Sequence, residues 1–122
     1  MTLSDLQREL REFADQREWQ PFHTPKNLVM ALSGEVGELT ELFQWLTPEE
    51  SSAMMDDADQ AERVREEVAD VFAYLLRLAD VLDIDLPVAL RAKMRRNGEK
   101  YPVERARGRA DKYDRLTEDH DA

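Results

Sequence analysis

The stretch Leu28-Val-Met-Ala-Leu-Ser-Gly-Glu-Val-Gly-Glu-Leu-Thr-Glu-Leu-Phe-Gln-Trp-Leu46 decides the fold. Its apolar residues Leu28, Leu32, Val36, Leu39, Phe43 and Leu46 recur every three or four positions, the period of a helix face and not of a strand. Thr24 can cap this helix, and Pro25 suits its first position because a proline has no N–H to leave unpaired there. A second long helix reads from about Ala61 to Leu82 on Val64, Val68, Val71, Leu75, Leu78 and Leu82. Before this pair, Ser4-x-x-Gln7 suggests a capping box for a helix carrying Leu6, Leu10 and Phe13 and ending near Arg17 or Glu18. Trp19 to Pro25 is a connector. Thr47-Pro48-Glu49-Glu50 repeats the cap-then-proline signature, and the polar run Ser51 to Gln60 predicts a short helix or mobile loop. Asp85 can cap a further helix from Leu86 to about Arg96, which Asn97-Gly98 should break, and a final helical stretch is expected from Pro102 to about Arg115. No alternating strand pattern competes. The fold class is all-α, with a four-helix bundle core.

The length of 122 residues suits one domain, read here as residues 1–115 with a polar C-terminal tail at 116–122. A hydrophobic share of 42% and a charged share of 36% exclude both a disordered chain and a membrane protein. With no cysteine, disulfides, thiol catalysis and Cys-based zinc sites are excluded, and two histidines disfavour a His-based metal site. Residues 1–10 carry charges where a signal peptide needs an apolar run, and the longest uncharged apolar stretch is Val71–Leu76, so a soluble cytoplasmic protein without a membrane partner is expected. The net charge of -10 argues against a nucleic acid polymer as partner. Charge is uneven, however. Arg91 to Arg115 holds ten Lys/Arg against four Asp/Glu, which suits either a solvated basic helix or cations that handle a small anion.

On a helical wheel of about 100° per residue, Glu35 falls inside the apolar arc of the first long helix and Glu38 on its edge. Glu67 and Asp70 repeat this phase on the second. Gathering four carboxylates at a buried border is unfavourable unless something positive compensates. Arginine or lysine from elsewhere could supply the charge, or the carboxylates could point outward. A hard-oxygen metal site is the other solution, and it selects Mg²⁺, with Mn²⁺ as a possible substitute, over zinc or copper. Such Mg²⁺ commonly accompanies a bound polyphosphate, for which Lys93, Asn97, Lys100 and Tyr101 offer complementary groups. Trp19 and Trp45 sit just outside helix ends, where they either close the helix or offer a stacking face to a base.

These residues also carry a family likeness. Gly34-Glu-Val-Gly-Glu-Leu-Thr-Glu-Leu-Phe-Gln-Trp45, Glu66-Glu-Val-Ala-Asp-Val-Phe-Ala-Tyr74, Lys93-Met-x-x-Asn97 and Lys100-Tyr-Pro102 resemble the MazG-like all-α nucleotide pyrophosphohydrolases. Arg17-Glu-Trp-Gln-Pro-Phe-His-Thr-Pro-Lys-Asn27 is similar to the branch of that superfamily acting on dCTP. The resemblance spans approximately Leu3 to Tyr113 and departs between Thr47 and Glu62. It implies hydrolysis of a nucleoside triphosphate, dCTP or a 5-modified dCTP, to the monophosphate and pyrophosphate. Glu35, Glu38, Glu67 and Asp70 match metal ligands, Trp19 and Trp45 match aromatic positions around the base, and His23, Tyr74, Lys93, Asn97 and Tyr101 match pocket positions. It also implies a homodimer or homotetramer. In the mechanism that results, metal-held water attacks the α-phosphorus, Glu38 takes its proton, and Lys93, with Lys100, neutralises the leaving group. The alternatives are the same fold acting on dUTP or other nucleotides, and a non-enzymatic acidic helical module that binds a partner.

Overall fold

The computed structural model of the protein describes residues 1–110. Six α-helices account for most of them: α1 (Leu3–Gln16), α2 (Pro25–Phe43), α3 (Pro48–Ser52), α4 (Ala58–Val81), α5 (Leu86–Lys100) and α6 (Val103–Ala106). Single 3₁₀ turns occupy Gln20–Phe22 and Met54–Asp56, and among the described residues there is no strand. The expected all-α class is what forms.

The chain separates into two units, Met1–Ile84 and a second that begins at Asp85. In the first, α4 is the central element: α2 lies along it and α1 packs on it as well. Leu28 of α2 and Leu76 of α4 are the largest side chains fully buried, accompanied by Ala14, Ala61 and Ala79. Gln7 of α1 reaches the Leu76 carbonyl with its amide at 3.1 Å, and Arg11 grips Asp80 through Nη2–Oδ1 at 2.6 Å and Nε–Oδ2 at 2.9 Å. In the second unit, α5 exposes Val88, Leu90 and Met94.

Several expectations are corrected. The box that starts α1 is Thr2 with Asp5, not Ser4 with Gln7: Thr2 Oγ1 accepts from the Asp5 N–H at 3.1 Å, and Asp5 Oδ2 accepts from the Thr2 N–H at 2.9 Å. A carboxylate is the stronger acceptor and interacts favourably with the helix N-terminus, which releases Gln7 to hold α4. The apolar run predicted to continue through Leu46 leaves the helix after Phe43. α4 begins earlier than expected, at Ala58, because Asp57 accepts from the Asp59 and Gln60 N–H groups. Asn97-Gly98 does not break α5, which continues to Lys100, since a helical glycine costs only about 1 kcal/mol relative to alanine. The helix predicted from Pro102 to Arg115 ends within the described residues at Ala106, with Gly108 at φ 74° two residues on; residues past 110, including the expected tail, lie outside the described part. The predicted stripe of α4 is also only partly internal, because Val68 is 49% exposed and Leu75 is 40% exposed.

Candidate metal centre and substrate cavity

α2 starts where the sequence predicts, with Thr24 Oγ1 accepting from the Asn27 N–H at 3.2 Å, and α4 is fixed by its Asp57 cap. The registers so set bring Glu35, Glu38 and Glu67 together: one oxygen from each lies within 4.8 Å of the others. Glu35 Oε2 and Glu67 Oε2 are buried and have no hydrogen-bond partner. Among the described residues no arginine or lysine pairs with these groups or with Asp70; the ion pairs are Arg8–Asp5, Arg11–Asp80, Arg65–Glu62 and Arg77–Asp80. Among the described residues of the first unit, the compensation by arginine or lysine left open in the sequence is not found.

Crowding has the expected electrostatic result. Burial, then the hydrogen bond and charge of Glu38, then Asp70 and Glu67, push the Glu35 carboxyl up to about 7. Burial and Glu38 push Glu67 upward as well. Orphaned carboxylate oxygens with raised proton affinity are what a hard divalent cation satisfies, by replacing shared protons with its own charge. The donor set fits such an ion.

A cavity of about 170 Å³ adjoins α1 and α4, lined by Leu10, Phe13, Ala14, Trp19, His23, Asp70, Ala73, Tyr74 and Arg77. Four residues singled out in the sequence, Trp19, His23, Asp70 and Tyr74, thus line one space. The end of α1 places the first of them. Glu18 takes a left-handed φ of 55°, its N–H bonds the Asp15 carbonyl at 3.0 Å, and the Trp19 N–H bonds the Ala14 carbonyl at 3.0 Å. This is a Schellman stop, and it projects the residue after the left-handed position back against its own helix. Trp19 accordingly meets Phe13 edge-on at 5.8 Å and His23 at 5.8 Å, with the Arg17 guanidinium 3.4 Å over the Phe13 ring. His23 is held by Arg77, whose Nε donates to Nδ1 at 3.1 Å; burial and then this neighbouring charge lower the imidazole's affinity for a second proton.

The other predicted residues lie on other elements. Trp45 is 86% exposed past the end of α2. Beside that segment a hollow of about 460 Å³, lined in part by Leu46, Glu50, Asp57 and Arg63, contains none of the predicted site residues. Lys93, Asn97, Lys100 and Tyr101 belong to the second unit, where the spacing puts Lys93, Asn97 and Lys100 on one side of α5 and Tyr101 at its cap, with its N–H bonded to the Asn97 carbonyl at 2.8 Å. Arg77 was missed. Its signal was a lone charge inside the apolar run Val71–Ala79, where it is 7% exposed.

An all-α chain with an acidic centre shared by two helices defines a class, and the comparisons agree: the MazG-like family model matches residues 30–116, and the chain belongs to that family. Its curated relatives include dCTP pyrophosphatase 1 of Bos taurus, 46% identical over 112 residues, and of Homo sapiens, 44% identical over 115 residues. These alignments cover 92% and 94% of this chain, and the chain spans 66% and 68% of those longer relatives. The crystal structure of a pyrophosphatase from Archaeoglobus fulgidus superposes with a TM-score of 0.76 at 44% identity, covering 81% of this chain and 91% of that one. No helix among the described residues is long and apolar enough to cross a membrane.

Proposed function

We propose that the protein is a Mg²⁺-dependent nucleoside triphosphate pyrophosphohydrolase, with dCTP or a 5-modified dCTP as substrate. The observation that carries this reading is the pair of buried, unpartnered oxygens on Glu35 and Glu67 beside Glu38, in a chain whose relatives bear the name of that activity. Glu35, Glu38, Glu67 and Asp70 would hold the ion, and Mn²⁺ suits the same donors. When bound, the metal supplies charge neutralisation at the phosphates and acidifies water.

The chain's own residues supply the rest. Glu38, exposed where Glu35 and Glu67 are half-buried, takes the proton of the water that attacks the α-phosphorus. The bond from that phosphorus to the bridging oxygen breaks, giving the monophosphate and pyrophosphate. Lys93 and Lys100 offset charge on the departing pyrophosphate, and Asn97, Tyr101 and Tyr74 hydrogen-bond the sugar and phosphates. Trp19 stacks the base in the small cavity with His23 at its edge, and Trp45 supplies a second aromatic face. The unit works as a homodimer or homotetramer in the cytoplasm. An apolar groove of about 340 Å³ on α1 and α4, lined in part by Leu6, Leu10, Phe13, Phe72 and Leu76, supports the assembled state.

The test is product analysis on dCTP, 5-methyl-dCTP, dUTP, dATP and CTP, with Mg²⁺ and with chelator. The expected result is equimolar monophosphate and pyrophosphate from the cytosine deoxynucleotides, lost on chelation. Release of orthophosphate, or no turnover on any of the five, would overturn the reading.

A further inference from the structure

The cavity contains a polar device that the hydrolytic step does not employ. His23 Nδ1 accepts from Arg77 Nε at 3.1 Å, so the neutral imidazole must carry its hydrogen on Nε2. The direction cannot reverse, because a guanidinium has donors only and keeps its charge. Arg77 is itself fixed: it is buried in α4, its Nη1 bonds Asp80 Oδ2 at 3.1 Å, and Asp80 is gripped in turn by Arg11 of α1. His23 Nε2 has no protein partner among the described residues, and the ring lines the same space as Trp19, Asp70 and Tyr74. A neutral, donor-only nitrogen thus stands beside an aromatic face suited to a flat ring.

Resting on the nucleotide reading above, we infer that Arg77 is a positioning residue that locks His23 as a donor-only reader of the base. The lock selects a pyrimidine whose N3 offers a lone pair over one whose N3 carries hydrogen. Cytosine presents an acceptor at N3, whereas uracil and thymine present an N–H. Against a fixed imidazole N–H, the second arrangement leaves two donors facing each other in a desolvated site, which is how one hydrogen-bonding group rejects a near-isosteric ligand. An imidazole free to change tautomer would serve either base. The selectivity therefore resides in Arg77, which holds the ring, and in Asp80, which holds Arg77.

The chain has two histidines, His23 and His120, so a protein labelled with ¹⁵N-histidine gives few signals, assigned with His120→Gln. At neutral pH, His23 of the parent should show a protonated-type Nε2 and an unprotonated-type Nδ1. Arg77→Met should give a tautomer mixture, and Arg77→Lys, which returns a donor to Nδ1, should recover part of the parent pattern. The dCTP-to-dUTP ratio of kcat/KM should fall roughly 3- to 10-fold in Arg77→Met, the worth of one positioned hydrogen bond. If that variant does not fold, His23→Leu leaves Arg77 in place and should lower the ratio likewise. Titration with dCMP and dUMP keeps the test independent of turnover: the Nε2–H resonance should move with dCMP and not with dUMP. A parent ring protonated on Nδ1, or equal responses to the two monophosphates, overturns the inference. Absence of hydrolysis with a selective dCMP response overturns only the hydrolase reading.

Discussion

At the scale of single residues, Glu35 is where structure and chemistry conflict most. Its carboxyl, near 4.5 in the unfolded chain and about 7 in the fold, binds a proton more tightly when folded. That proton stabilises the metal-free fold fully below pH 4.5, and the contribution is lost as pH rises to about 7, then stays lost. Glu67 acts in the same direction, and His23, whose affinity is lowered, in the opposite one. A Glu35→Gln variant isolates the Glu35 contribution. In chelator, its melting temperature relative to the parent should climb between pH 4.5 and about 7 and level off above; a flat difference would show that Glu35 is not the strained group. At pH 8, Mg²⁺ should raise the parent's melting temperature with concentration and raise the variant's much less. The amide variants of Glu35, Glu38, Glu67 and Asp70 should each fold and each lose turnover, and full activity in all four would remove the metal centre from the mechanism. Phase on a wheel points to Glu35, Glu38 and Glu67, which the structure gathers, and to Asp70, which is not in that group of three. Arg77 was not foreseen, because the meeting of α4 with the Trp19–Pro25 connector, which pairs Arg77 with His23, is a tertiary event with no sequence period.

At the scale of elements, caps set the register of the site. Asp57 starts α4, and α4 carries Glu67, Asp70, Tyr74 and Arg77. Asp57→Ala should cost about 1 kcal/mol of stability by removing the acceptor for two N–H groups, read as a lower urea midpoint with unchanged slope. Because the carboxylates lie roughly three turns or more farther on, catalysis by the folded protein should change little, and a large loss of kcat at unchanged stability would mean that the N-terminus of α4 touches the substrate. The extent of each helix was legible to the degree that local chemistry decides it. Thr24-Pro25, Thr47-Pro48 and Asp85 mark true starts, since a cap and its N–H partner lie within three residues. Ends were less legible. Asn97-Gly98 reads as a break, yet glycine's helical penalty is small beside the hydrogen bonds of a continuing helix. Trp45, for which the sequence leaves helix closure and base stacking both open, is exposed to solvent.

At the scale of the molecule, the described core is small: Leu28 and Leu76 are its only fully buried large side chains, with three alanines beside them. Described residues that bury so little large apolar surface leave much of their hydrophobic driving force unused. The residues that would supply it are Phe13 on α1 and Val68 and Leu75 on α4, which periodicity predicts to be internal, together with Phe72 one turn from Val68; all four are exposed. Periodicity reports which face is apolar and cannot distinguish burial within a chain from burial against another copy. The assembled state proposed above resolves the difference, since an isologous contact would cover the same face of both subunits. Phe72 lines the apolar groove and is not among the proposed ligands or substrate contacts. Placing a charge there would require a desolvated carboxylate with no partner in the contact, so Phe72→Glu should lower the mass measured by light scattering from that of a dimer or tetramer toward that of the single chain. Its helical circular dichroism should persist at high protein concentration, while its melting temperature falls and ceases to depend on concentration. An unchanged multimeric mass would place the contact elsewhere, and a parent that is monomeric at all concentrations would leave this face exposed in solution and remove self-association from the proposal.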